Sequence, residues 1–332
     1  MDPLTHTVAG LFLSRAGLNR LTPMATPILM LAANAPDLDI LTLGGGSLNY
    51  LHYHRHLTHS LVAIPLMALL PVVFVRVAWR KPVHWLGAFF AAALAVGSHL
   101  LLDFTNVYGV RLFLPFSDRW LRLDTTNVVD LWLWSALLLG VGGPFIGRLV
   151  GSEISSGAAR AKHHGRGFAV FALAFVALYT CGRAVLHARA VATLESRVYQ
   201  GSVPLRVLAA PHPANPFRWR GVVETSDFFA VEDLNLTGEY DPTRATIFRK
   251  PDADPALDAA RRTTTFQEYL KFSQFPLWRL SPAPDLEGGK RVDVMDLRFG
   301  TPLAPAFEAT AVVNAGEQVV QTWFEFGRVR PR

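Results

Sequence analysis

Cysteine is almost missing from this chain: a single Cys181 stands inside an apolar run, which excludes an intrachain disulfide and any cysteine-based metal cluster. Charge is scarce too. Asp, Glu, Lys and Arg make up 17% of 332 residues, against 51% hydrophobic residues and a mean hydropathy of +0.25, a balance too apolar for a soluble protein of this length. A basic region ahead of the first apolar stretch is also lacking. The chain opens Met1-Asp2-Pro3 without a small-residue cleavage pattern, so that stretch is expected to stay in the mature protein rather than leave as a secretory signal. The glycine cluster Gly44-Gly45-Gly46 lacks the surroundings of a phosphate loop.

The charge that is present has a pattern. The net charge is +6 and the isoelectric point about 9.7, but the excess lies beside apolar segments, at Arg76, Arg80 and Lys81 and again at Arg160, Lys162 and Arg166. The positive-inside rule places such residues at the cytoplasmic ends of spanning helices, and no nucleic-acid partner is expected. Four runs, 60–79, 84–103, 128–147 and 168–187, are each near the length a bilayer core requires. Two shorter stretches, 4–19 and 22–35, are separated by Arg15 and Arg20 and suit a helical hairpin or a re-entrant pair. Beyond residue 190 the pattern turns to short alternating runs, such as Val222 to Thr225 and Ala311 to Phe326, with one helical stretch at Phe266–Phe272. The expected fold is mainly α: a polytopic helical membrane domain over residues 1–190 and an extramembranous α+β domain over residues 191–332.

Loop charge sets an orientation. The turn at 80–83 and the loop at 148–167 are cytoplasmic, and Arg15 and Arg20 agree. The opposite helix ends, carrying His6, Asp37, Asp39, His54, His59, His99 and Asp103, then all lie on the outer, periplasmic side of a bacterial inner membrane, together with the C-terminal domain. These seven residues are the candidate metal ligands.

His99 and Asp103, four apart on a helix, project from one face about a turn apart. An ionised Asp at the bilayer centre costs roughly 2.5–3.5 kcal/mol on insertion scales, so a polar pair closing an apolar helix calls for a functional reason; alternatively the Asp reaches interfacial water and the His is only hydrogen-bonded. The segment His52 to His59 holds four of the chain's eleven histidines. His56 and His59 share a face if it is helical, whereas His54 and His59 converge only if the chain turns before Thr58 caps the next helix. Pro36 stops a helix, and Asp37 and Asp39 point the same way if the following residues are extended. Asp2, a turn before His6, is placed to orient its ring. His and carboxylate donors without Cys suit Zn²⁺, with Mn²⁺ or Fe²⁺ feasible, and the ligand number allows one or two ions.

These motifs, in this order, resemble the bacterial LexA-regulated inner-membrane metal-dependent hydrolases, the YdjM-like proteins. The resemblance rests on Asp2-Pro3 with Thr5-His6, Pro36-Asp37-Leu38-Asp39, His54-Arg55 with Thr58-His59-Ser60, Ser98-His99 with Leu102-Asp103, Tyr108-Gly109, Pro115-Phe116-Ser117 and Asp130, covering about the first 135 residues closely. It implies His54 and His59 as ligands, and it puts His56 where the family has a small residue. At Asp130 the family pattern continues with proline and this chain has Leu131, which leaves the roles of His56 and Asp130 open. The His-x3-Asp helix also resembles, distantly, the zinc phospholipase C and single-strand nuclease superfamily, an analogy that points to phosphoesters.

The expected function is a membrane-embedded metal-dependent hydrolase acting on phosphoester or lipid-linked substrates, with Asp37 and Asp39 as catalytic carboxylates. A metal or proton transporter, or an assembly protein with a structural metal, is the alternative. A relay needs polar residues at several depths, and segments 64–75 and 86–96 contain no charged residue.

Overall fold

The computed structural model describes residues 1–154 and 164–327. Arg160 and Lys162, part of the loop-charge argument, lie outside the described residues.

Helix α1 (Pro3–Ala16) starts where Asp2 accepts hydrogen bonds from the Thr5 amide at 3.0 Å and the Thr5 hydroxyl at 2.6 Å, with Pro3 in the first turn. Asp2 also accepts from Trp134 Nε1 at 3.2 Å. It is therefore the cap of α1, and the expectation that it orients the His6 ring is corrected. Gly17 closes the helix at φ +148°. Helix α2 (Ala25–Ala32) folds back on α1 so tightly that a Cβ on Gly10 would lie 2.5 Å from the Leu29 carbonyl oxygen, the close backbone approach that small residues permit between membrane helices. Ser14 to Thr26 at 2.7 Å and Asn34 to Thr7 at 2.8 Å tie the hairpin at both ends.

The extended chain after Pro36, the condition under which Asp37 and Asp39 would point the same way, does not form. The segment is instead a 3₁₀ helix over Pro36–Gly45, bent 51° from α2. Helix α3 (Ser47–Tyr53) follows, then two 3₁₀ turns, Leu57–His59 and Leu61–Ala63. Thr58 thus lies within a turn and does not cap helix α4 (Ile64–Trp79). A short turn leads to α5 (Trp85–Thr105). Its small buried face, Ala88, Ala91, Ala92 and Ala95, packs with Ile28, Leu29 and Ala32 of α2 and with Met67, Ala68, Val72 and Val75 of α4. His99 and Asp103 continue that face by steps of four, so the helix carries them into the same interior. Helices α6 (Leu131–Ile154) and α7 (His164–Glu195) complete the helical part.

The segments Leu61–Trp79, Trp85–Thr105 and Gly165–Glu195 are long and apolar enough to cross a membrane, and α2 with its bent 3₁₀ continuation makes a fourth if the pair is one broken span. Leu66, Phe74, Leu86, Phe90, Leu101 and Leu178 are exposed on these helices, as lipid-facing residues are. Of the run expected at 128–147, the described residues give an apolar helical stretch over Leu131–Ile146, within α6.

The chain forms two compact units, one of Met1–Asp39, Arg55–His187 and Pro211–Pro216, the other of Ile40–His54, Ala188–Ala210 and Phe217–Arg332. The second carries the β structure. Strands β1 (Arg206–Pro211), β2 (Arg218–Glu224), β3 (Phe228–Asn235) and β4 (Thr246–Arg249) form one sheet in that order. Helices α8 (Pro255–Arg261) and α9 (Thr264–Phe272) follow, then β5 (Pro276–Pro282), β6 (Lys290–Asp296), a two-stranded piece of β7 (Gly300–Thr301) and β8 (Ala304–Pro305), β9 (Phe307–Val313) and β10 (Val319–Phe326). The second four-stranded sheet, ordered β10-β9-β6-β5, is antiparallel throughout. Phe266, Tyr269 and Phe272 form the buried face of α9, and the Tyr269 hydroxyl donates to the Phe307 carbonyl at 2.9 Å. The fold is thus a helical membrane region followed by an α+β region, as the hydropathy and alternation patterns imply.

Candidate metal centre

Antiparallel hairpins bring the start of α1, the end of α2, the turn before α4 and the end of α5 to one end of the first unit. His6, Asp39, His59, His99 and Asp103 are all buried there, and the Asp37 side chain keeps 23% exposure, the one opening among them.

Asp37, His59, His99 and Asp103 each offer a donor atom within 4.8 Å of the others. His59 Nε2 lies 3.1 Å from His99 Nε2, 3.5 Å from Asp37 Oδ1 and 3.5 Å from Asp103 Oδ2; His99 Nε2 lies 3.7 Å from Asp37 Oδ1 and 3.4 Å from Asp103 Oδ2. A tetrahedral centre with bonds of about 2.0–2.1 Å has ligand separations of about 3.3–3.4 Å, and the five separations that involve a histidine nitrogen lie within about 0.4 Å of that range.

Proton positions point the same way. His99 Nδ1 stands 2.8 Å from the Ala33 carbonyl oxygen, which can only accept, so Nδ1 carries the proton and Nε2 presents its lone pair. His59 Nδ1 faces Thr58 Oγ1 at 3.0 Å and Asp39 Oδ2 at 3.4 Å, an arrangement that likewise turns its Nε2 lone pair inward. Two imidazole lone pairs and two carboxylate oxygens, out of water, repel one another unless a cation lies among them. Asp103 Oδ2 and Asp37 Oδ2 are buried without a hydrogen-bond partner. The four side chains can hold a metal ion.

The other candidates stand around this group. Asp37 and Asp39, though carried by a 3₁₀ helix, reach the same imidazole from its two nitrogens. His6 stacks on the His99 ring at 3.8 Å between centroids, with its Nε2 3.5 Å from Asp103 Oδ1. His54 ends α3, stacks on Tyr50 at 4.6 Å and is not among the four grouped donors. His56 is not among them either; it precedes the Leu57–His59 turn and its carbonyl accepts from the His59 amide at 3.0 Å. Asp130 accepts from the Trp132 and Leu133 amides at the start of α6 and from the Tyr179 hydroxyl at 3.1 Å, which makes it a helix cap and anchor.

Arg55, named above only as part of the His54-Arg55 motif and given no role there, is central. Arg55 is 4% exposed and sits at φ +53°, a backbone state that a bulky side chain adopts only when its surroundings enforce it. Its amide donates to Asp39 Oδ2 at 2.8 Å, and its guanidinium donates to Asp103 Oδ1 at 3.0 Å, to the Gly109 carbonyl at 2.8 Å and to Asn106 Oδ1 at 3.3 Å, while stacking over Tyr108. The Met1 amino group also contacts Asp103 Oδ1. An arginine amid histidines, in a segment entering an apolar helix, was the available signal, since buried arginine demands carboxylate partners.

Comparison with known proteins adds a family. The YdjM inner membrane protein family matches residues 1–190. The uncharacterized protein YfhP of Bacillus subtilis (strain 168) is 28% identical over 151 residues, which cover 42% of this chain and 45% of that protein, so the match spans less than half the length of either. No solved structure matches the chain. The resemblance carried by the Asp2-Pro3, Pro36-Asp37, Thr58-His59 and His99 to Asp103 motifs is borne out: the chain belongs to the YdjM inner membrane protein family.

Proposed function

We propose that this protein is a membrane-embedded metal-dependent hydrolase whose ion, Zn²⁺ by donor type, is held by Asp37, His59, His99 and Asp103. The observation that carries the reading is the 3.1 Å approach of two imidazole nitrogens flanked by two carboxylate oxygens. A divalent ion in such a set supplies Lewis acidity, which lowers the pKa of water and draws charge from a phosphoester. Asp37, the one of the four grouped donors whose side chain is partly exposed, is the carboxylate that takes the proton from an attacking water. Asp39 fixes the His59 ring through Nδ1, and Ala33 fixes the His99 ring in the same manner.

Lipid-linked substrates suit the surroundings. Leu38, Leu57, Phe113 and Phe116 are exposed beside the donor-bearing turns, and the Leu61 amide to Leu112 carbonyl bond at 2.9 Å joins two of those segments. Loop charge orients this end to the periplasmic side, with the second unit outside as well. A reporter active only in the cytoplasm, fused after residue 332, is expected to be silent and to work when inserted near residue 81; the reverse would move the site to the cytoplasmic face. The activity test is a panel of phosphoester, carboxyester and amide lipids with folded, metal-loaded protein. Turnover of a phosphoester lipid that chelator abolishes is expected, and no turnover across the panel would overturn the hydrolase reading.

A further inference from the structure

Asp103 is the donor whose two oxygens have different surroundings. Oδ1 takes the Arg55 guanidinium at 3.0 Å and the Met1 amino group and lies 3.5 Å from His6 Nε2, whereas Oδ2 faces His59 and His99 and has no hydrogen-bond partner. We infer that Arg55 is a positioning residue that makes Asp103 a one-oxygen ligand and limits the centre to a single divalent ion. This inference rests on the metal reading above and adds stoichiometry and a residue to it.

The geometry of Arg55 suits that task. A carboxylate beside a lone cation can turn to offer both oxygens, and the cost of holding it to one is borne here by a forked cation that Asn106 and the Gly109 carbonyl hold in place. Asn106 is itself fixed, since its Oδ1 accepts from the Tyr108 amide at 2.9 Å and the Gly109 amide at 3.3 Å. The Arg55 amide holds Asp39, which faces His59 Nδ1, so one residue braces two walls of the site.

Charge counting limits the ions. The side chains of Asp37, Asp39 and Asp103 carry −3 and Arg55 carries +1, leaving −2 with neutral histidines; a charged Met1 amino group would make it −1. One divalent ion brings either sum to within one charge of neutrality, which buried sites require. A second ion would leave +2 or more.

The test is titration of the full-length protein in detergent with Co²⁺, following the visible d–d absorption. The wild-type chain is expected to take up one equivalent with the intense bands of a four-coordinate ion. Arg55→Lys, which keeps the charge, and Arg55→Gln are expected to bind Co²⁺ about 10–100-fold more weakly, the range typical of losing a group that orients a ligand. Their bands should be weaker per ion, as Asp103 engages through both oxygens. Circular dichroism identifies the variants that are folded. Two equivalents in the wild type, or a folded Arg55 variant with parental affinity and spectrum, would overturn the inference while leaving the metal reading standing. A wild-type protein that binds no Co²⁺ would overturn both.

Discussion

His59 and His99 come from the two arms of the α4–α5 hairpin at its open end, where their Nε2 atoms stand 3.1 Å apart, each ring held from behind at Nδ1. Neither nitrogen of that pair can donate to the other when both Nδ1 atoms are protonated, so the pair can hold a cation between them.

The choice among the histidines follows. We expect His59→Ala and His99→Ala each to lower bound metal at least tenfold, because loss of a ligand exceeds the roughly 10–100-fold effect of losing its hydrogen-bond partner. His54→Ala and His84→Ala should keep the parental content, since neither belongs to the grouped donors. Metal analysis of the four purified variants decides it; equal content in all of them would contradict the site.

In the proposed centre Asp39 acts through His59, whose Nδ1 it faces at 3.4 Å, rather than on the ion. Asp39→Asn keeps shape and can still accept from the Arg55 amide, but it removes the charge facing His59 Nδ1. Metal affinity is expected to fall about 10–100-fold, with the unfolding temperature within about 4 °C of the parent. Calorimetric titration and a thermal melt on the same sample separate the two effects, and unchanged affinity would remove Asp39 from the account.

Much of this was legible in the sequence for a definite reason, and the rest was not for an equally definite one. Hydropathy gave three of the four expected spans, Leu61–Trp79, Trp85–Thr105 and Gly165–Glu195, among the described residues, and the period of 3.6 placed His99 and Asp103 on one face. The selection of His59 over His54 and His56 depended on two 3₁₀ turns and on Arg55 at φ +53°, a sign of φ that no side-chain pattern announces. Asp37 and Asp39 converge on one ring because the chain after Pro36 is 3₁₀ rather than extended. The inclusion of Ile40–His54 in the second unit came from long-range packing, such as His52 Nδ1 against Glu268 Oε2 at 2.5 Å, which local periodicity does not encode.

The α1–α2 hairpin carries His6 at one end and Asp37 just beyond the other, so its close packing supports the site. Gly10→Val should destabilise the protein by several kcal/mol, as overpacking against backbone does, because even a Cβ would meet the Leu29 carbonyl oxygen at 2.5 Å. Gly97→Ala, with nothing within 4 Å of the new Cβ, is expected to be neutral or to stabilise α5 by up to about 1 kcal/mol. Thermal unfolding in detergent compares them, and equal stability of the two variants would refute the packing.

In the second unit, Asp296 and Arg298 are buried together, with Arg298 Nε donating to Asp296 Oδ2 at 2.9 Å and the Gln274 amide donating to the same oxygen at 2.9 Å. Burial raises the carboxyl pKa, but the Arg298 charge and these hydrogen bonds outweigh it and hold the pKa below the ordinary value. The folded pKa lies below the unfolded one, so this stabilisation is complete above about pH 4 and is lost as the pH falls through the folded pKa. Pulse proteolysis in urea, read on fragments of this unit, should show stability declining below about pH 4 in the parent. Arg298→Met should cost about 3–5 kcal/mol at neutral pH by leaving Asp296 charged and unpaired, and a variant as stable as the parent would contradict the pairing.

The central claim is tested most directly by X-ray absorption at the metal edge of protein purified in detergent without chelators, together with its metal content. One divalent ion per chain is expected, with nitrogen and oxygen neighbours at about 2.0–2.1 Å and the outer-shell scattering of two imidazoles. A protein that is folded yet carries no ion after loading with Zn²⁺, Mn²⁺ or Fe²⁺, or an ion without imidazole scattering, would contradict the assignment of His59 and His99 as its ligands.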